Sequence, residues 1–340
     1  MDIVELNRIA RAMTAKGKGL LAADESTGTI QKRFDKIGVE NTEDNRRDYR
    51  ELLFRSAEGM KHVSGVILFD ETIRQKAKDG TPLVKLIEQA GAVPGIKVDK
   101  GTKPLAATND TITEGLDGLR ERLVEYHKLG ARFAKWRATY DPTQGRPGYN
   151  SIQANAHALA RYAALCQENG IVPIVEPEVL MDGDNTIETC EAVTEWVLKE
   201  VFQHLYFANV APEGMVLKPN MVISGMKCAK QAGVDEVAER TVNLLKRCVP
   251  PAVPGIAFLS GGQSDEAATA HLNAMNAMHP NLPWALTFSY GRALQAAPQK
   301  AWGGKAANAS AAQAAFAHRA KMNGLAATGQ WKANMEKNAA

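Results

Sequence analysis

Short apolar runs closed by a polar or charged residue recur along the chain. Gly-Leu-Leu-Ala-Ala precedes Asp24, Gly-Val-Ile-Leu-Phe precedes Asp70, and three further runs end at Lys97 with Asp99, Lys135 with Arg137, and Glu176 with Glu178. Met-Val-Leu then precedes Lys218, Ile-Ala-Phe-Leu precedes Ser260, and Ala-Leu-Thr-Phe-Ser-Tyr-Gly precedes Arg292. Between these runs the apolar spacing changes to three and four, the period of a helix face. Leu116, Leu119, Leu123 and Tyr126 form one stripe, Ala156, Leu159, Ala163 and Cys166 a second, and Val193, Trp196, Val197 and Val201 a third. Gly130 and Gly170 stand where two of these helices stop, the position at which glycine accommodates a left-handed turn. Eight strand-like runs alternating with helices predict an α/β fold, an eight-stranded parallel β/α (TIM) barrel whose polar strand ends meet on one face.

The ends extend this pattern. An amphipathic helix is predicted from Ile3 to about Lys16, ending at Lys16-Gly17-Lys18-Gly19, and the alanine-rich last forty residues read as helical to about Asn323. Gly324, Gly329 and the polar remainder then suggest a mobile tail from about residue 324. A barrel of about 250 residues with added terminal helices accounts for residues 1–340 as one domain. The net charge of +3 is too small to suggest a nucleic-acid or membrane partner. No apolar stretch approaches a membrane span, and Asp2 and Glu5 sit where a leader would carry basic residues, so a cytoplasmic protein is expected. Cys166, Cys190, Cys228 and Cys248 lie far apart with no C-x-x-C pair and read as reduced thiols. The seven histidines are scattered, so no metal site and no cofactor are expected.

Residues two apart on a strand share a face, so Lys97 with Asp99, Lys135 with Arg137, and Glu176 with Glu178 can each enter one barrel mouth together. Burying that many charges without a function is costly. Lys218 is the candidate nucleophile. A lysine amine attacks a ketone only when neutral, which desolvation or a neighbouring cation promotes. Met215, Val216 and Leu217 offer the first and Lys135 the second. Glu176 and Glu178 can exchange protons with the amine and the departing water, and Asp24 can accept a hydroxyl proton from the far part of a substrate. Ser260-Gly261-Gly262-Gln263-Ser264 and Tyr290-Gly291-Arg292 follow the seventh and eighth strands, where this fold often binds phosphate through backbone N–H groups. Lys32, Arg33, Lys97 and Arg137 offer a second basic region, so the substrate is expected to carry a phosphate at each end.

These segments, taken in order from the first helix to about Gly304, closely resemble class I fructose-bisphosphate aldolase, the Schiff-base type. The match includes Leu-Ala-Ala-Asp24-Glu-Ser26-Thr-Gly, Gly-Ile-Lys97-Val-Asp99, Phe-Ala-Lys135-Trp-Arg137, Val-Glu176-Pro-Glu178, Val-Leu-Lys218-Pro-Asn and Leu-Ser260-Gly-Gly-Gln-Ser. The resemblance implies that Lys218 forms an imine with the substrate ketone, that Glu176 does the acid and base work with Lys135 and Glu178 assisting, and that Asp24 takes the C4 hydroxyl proton. It implies a C1 phosphate on Ser260, Gly261, Gly291 and Arg292, and a C6 phosphate on Ser26, Lys97 and Arg137 with Lys32 and Arg33 near it. Thr29 stands where the family has a second serine and keeps the hydroxyl. The resemblance further implies a homotetramer in glycolysis. Family members finish in a tail with a terminal tyrosine, whereas here no tyrosine follows Tyr290. Sedoheptulose 1,7-bisphosphate as main substrate and an inactive scaffold are the competing readings; intact Lys218, Glu176 and Asp24 weigh against the scaffold.

Overall fold

Alternation along the strands sorts the apolar side chains into two sets. Leu20, Ala22, Ile67, Phe133, Val172, Ile174, Val216 and Ala257 form one cluster, while their chain neighbours Leu21, Ala23, Val66, Leu68, Ala134, Val175, Leu217, Ile256 and Phe258 belong to another. The first set fills the inside of a barrel and the second lies under the surrounding helices. In the computed structural model, which describes residues 1–143 and 145–338, eight parallel strands close in the order expected from the sequence. They are β1 Gly19–Ala23, β2 Val63–Leu68, β3 Val93–Lys97, β4 Phe133–Tyr140, β5 Val172–Val179, β6 Val216–Leu217, β7 Gly255–Phe258 and β8 Ala285–Tyr290. β8 pairs with β1 through Leu20 opposite Ser289, which completes the ring. A two-stranded hairpin, Thr102–Pro104 with Thr111–Thr113, is inserted between β3 and β4.

The opening helix is Ile3–Met13 and stops with its last apolar residue, short of the expected end near Lys16. Thr14 caps it, its hydroxyl donating to the Ala10 carbonyl, and Gly17 turns the chain at φ +73°. Leu6, Ile9, Ala10 and Met13 join the inner cluster, so this helix closes the barrel floor opposite the polar strand ends.

Glycine makes the interior possible. A methyl group on Gly95 would overlap the Phe133 ring, and one on Gly19 would overlap Phe288. We expect Gly95→Ala to lower stability by about 1–3 kcal/mol, the usual cost of overpacking, seen as a lower urea midpoint at unchanged slope. An unchanged midpoint would mean that Phe133 moves aside freely.

Gly130 and Gly170 do end helices with positive φ, at +109° and +70°. Other expectations are corrected. Leu116 precedes its helix, Leu119–Lys128, because Gly118 at φ +65° stands at the N-cap. Trp196 faces outward and stacks on Tyr149, while Cys190, Thr194, Val197, Leu198 and Val201 form the buried stripe of Ile187–Phe207. Asp70 opens the helix Asp70–Arg74 and is engaged by Arg74 and the Tyr126 hydroxyl, on the wall of a cavity it shares with Ser26 and Lys97.

The last helix continues to Ala326, with Gly324 buried against Gly17 and His62. The residues that follow fold back onto the last helix. Trp331 N–H donates to Asn273 at 2.9 Å, its indole N–H donates to Glu336, and Glu336 pairs with buried Arg319 and His318. An ion pair shielded on both sides fixes the segment; Ala339 and Ala340 lie outside the described residues.

Candidate active site

The alternation that sends Leu20 and Ala22 inward continues to Asp24, and by the same parity Phe133 leads to Lys135, Ile174 to Glu176, and Val216 to Lys218. Lys218 is anchored by its N–H on the Val175 carbonyl at 2.8 Å, and its Nζ lies 3.0 Å from Glu176 Oε1. Lys135 Nζ is 2.9 Å from Asp24 Oδ2, 3.2 Å from Glu176 Oε2 and 3.8 Å from Asp99 Oδ2. Asp24, Lys135, Glu176 and Lys218 therefore form one continuous chain of alternating charge. Lys135, Glu176 and Lys218 are each at least 95% buried.

Burial alone would lower the pKa of Lys135, but Asp24, Glu176 and Asp99 override it and raise the pKa well above the ordinary lysine value. Burial alone would likewise raise Asp24 and Glu176. Lys135 and Lys218 reverse this, leaving Asp24 far below the usual carboxylate range and Glu176 below it. The two lysines differ in partners. Lys135 meets three carboxylates and is held as a cation, whereas among the described residues Glu176 is the one carboxylate within ion-pair reach of Lys218. Lys218 lies against Glu176, the carboxylate placed to exchange protons with it during attack on a ketone.

Toward the rim, Arg137 pairs with Glu178, and Lys97 lies 3.5 Å from Asp99. Asp99 also accepts the N–H groups of Gly101 and Arg137, which ties the ends of β3 and β4 together. Ser26 precedes the helix Thr27–Asp35 and its hydroxyl meets that of Thr29 at 3.1 Å. A cavity of about 590 Å³ opens beside Ser26 and Lys97. Lys32 is exposed on the Thr27–Asp35 helix. Arg33 follows Lys32 on the same helix. It pairs with Glu25, and its Nη2 stands beside Gly291, at the end of β8.

Ser260 is buried, and Gly262 in its turn has φ +70°. Arg292 opens the helix after β8 and donates to Asp265 Oδ1 at 2.7 Å and to the carbonyls of Ser260 and Gln263. The two predicted anion segments are thus joined by one guanidinium.

Two residues escaped the sequence reading. Ser289 lies on β8 between Phe288 and Tyr290, both in the outer cluster; its hydroxyl is buried and lacks a partner among the described residues. Alternation from Phe288 and Tyr290 was the signal that places it inside the barrel. Glu25 follows Asp24 and is buried outside the ring, where it meets Arg33, Arg50 and Gln295.

The fructose-bisphosphate aldolase class-I family matches residues 5–340. The chain belongs to this family. It is 58% identical over 334 residues to a probable fructose-bisphosphate aldolase class 1 of Xanthomonas campestris pv. campestris, covering 98% of this chain and 100% of that one. It is 55% identical to fructose-bisphosphate aldolase C of Carassius auratus, covering 96% of this chain and 91% of the other. A solved aldolase of Plasmodium falciparum, in a ternary complex with TRAP and a small-molecule inhibitor, superposes with a TM-score of 0.95 at 50% identity, covering 97% of this chain and 96% of that one. Class I aldolases are metal-independent lyases, and among the described residues no group of three or more His, Cys, Asp or Glu is placed to hold a metal ion. No described helix is long and apolar enough to cross a membrane.

Proposed function

We propose that this aldolase reversibly cleaves fructose 1,6-bisphosphate to glycerone phosphate and glyceraldehyde 3-phosphate through an imine on Lys218. The observation that carries this reading is the Lys218–Glu176 contact inside the Asp24–Lys135–Glu176 chain. A proton passing from the Lys218 ammonium to Glu176 frees the amine to attack the C2 ketone. Glu176 returns that proton to the carbinolamine hydroxyl, which leaves as water and gives an iminium. Asp24 then takes the C4 hydroxyl proton, the C3–C4 bond breaks, and its electron pair enters the iminium to give an enamine. Lys135 holds Asp24 and Glu176 in register throughout, and Glu178 orients Arg137.

The C1 phosphate is assigned to Ser260, Gly261, Gly291 and Arg292, with Arg33 added by its place beside Gly291. The C6 phosphate is assigned to Ser26, Lys97 and Arg137, with Lys32 at the margin. Two phosphate sites would take sedoheptulose 1,7-bisphosphate as well, which makes it the second substrate to test. The chain acts as one domain and as a cytoplasmic homotetramer on this reading, supported by its family alone.

Cleavage of both bisphosphates with and without EDTA tests the proposal. Equal rates are expected in the two conditions, and activity lost to chelator and restored by metal would reject it. Arg292→Ala removes a charge-assisted contact of about 1.5–3 kcal/mol, which raises the KM of C1-phosphorylated substrates about ten- to over a hundredfold. An unchanged KM would remove Arg292 from the phosphate site.

A further inference from the structure

The side chain of Arg292 is engaged on the loop that follows β7. Nη1 donates to Asp265 Oδ1 at 2.7 Å, and Nη2 donates to the Ser260 carbonyl at 3.2 Å and to the Gln263 carbonyl. A guanidinium has five N–H donors. Three are used here, and among the described residues Nε–H and the second Nη1 hydrogen meet no acceptor.

The Ser260 carbonyl and the Gly261 N–H belong to one trans peptide and point in opposite directions. Arg292 on that carbonyl therefore turns the Gly261 N–H to the other side of the peptide. Asp265 is itself held at its backbone. Its carbonyl accepts from Thr269 Oγ1 at 2.9 Å and from Arg319 Nη2 at 3.3 Å, and Arg319 pairs with Glu336 of the folded-back segment.

We infer that Asp265 is a positioning residue for the C1-phosphate site: it braces Arg292 across the Ser260–Gln263 turn, so that the loop N–H groups and the remaining guanidinium donors are set before the substrate arrives. The inference rests on the phosphate assignment made above. Ordering these donors in advance lowers the entropy lost on binding. A charged acceptor is needed, because a neutral one holds a guanidinium more weakly.

The test is borohydride capture of glycerone phosphate, and separately of dihydroxyacetone, on the full-length enzyme. Asp265→Asn is expected to raise the half-saturating glycerone phosphate concentration about threefold to tenfold, the range of one weakened charged contact. Capture of dihydroxyacetone and the limiting rate of bisphosphate cleavage stay unchanged, and Asp265→Glu restores the affinity. In an Arg292→Ala background, Asp265→Asn adds nothing further, which a general structural role would not reproduce. The inference is overturned if Asp265→Asn leaves the phosphate dependence unchanged, tightens it, or adds its full effect without Arg292. Wild-type enzyme that captures glycerone phosphate no better than dihydroxyacetone would instead reject the phosphate assignment, and this inference with it.

Discussion

Lys218→Ala is expected to abolish cleavage and borohydride capture of substrate together, a loss on the order of 10⁴-fold or more, the scale seen when a covalent catalyst is removed. Lys218→Arg should fail equally, although arginine keeps a positive charge beside Glu176. That second variant separates chemistry from electrostatics, because a guanidinium can pair with Glu176 and cannot form the imine. Lys135 remains in both variants but does not substitute. Asp24, Glu176 and Asp99 surround it and hold it protonated, so its nitrogen lone pair is occupied. Peptide mapping of the reduced adduct decides the matter: a label on Lys135 or Lys97 would overturn the assignment of Lys218.

Most of the catalytic chain was legible because strand geometry leaves little freedom. Once Phe133 and Ile174 are read as inward, Lys135, Glu176 and Glu178 follow from the period of two alone. Which inward charges pair was not legible, since pairing depends on register between strands. In β4 and β5, Arg137 stands opposite Glu176 in register, yet its side chain pairs with Glu178. The partners of Arg33 were not legible because it sits on a helix outside the ring. Its direction is set by Glu25, a buried carboxylate that joins it to Arg50 and Gln295, contacts spanning up to 270 residues of chain. The contacts of the C-terminal segment were not legible for a related reason. Local composition there is small and polar, and tertiary contacts order it, Trp331 on Asn273 and Glu336 on Arg319. Trp196 shows the reverse error, in which an apolar residue near the correct spacing faces outward.

Asp24 and Glu176 belong to one charge network, but removing each is expected to stop the reaction at a different stage. In Asp24→Ala, Lys218 keeps Glu176 at hand, so the imine still forms and substrate is still captured. The C4 hydroxyl then lacks its acceptor, and turnover falls about 10²- to 10⁴-fold, the usual range for a positioned base. In Glu176→Gln, the group 3.0 Å from Lys218 can neither take the ammonium proton nor return one to the carbinolamine, so capture itself slows by a similar factor. Both carboxylates are held below their ordinary pKa and stay ionised from pH 7 to pH 5, so neither accounts for an acid limb in that range. Rapid-quench capture beside steady-state cleavage distinguishes the two roles. Fast capture in Glu176→Gln would assign carbinolamine dehydration to another donor. Slow capture in Asp24→Ala would show that Asp24 acts before the carbon–carbon bond breaks, by setting the charge of Lys135 and through it the proton held between Glu176 and Lys218.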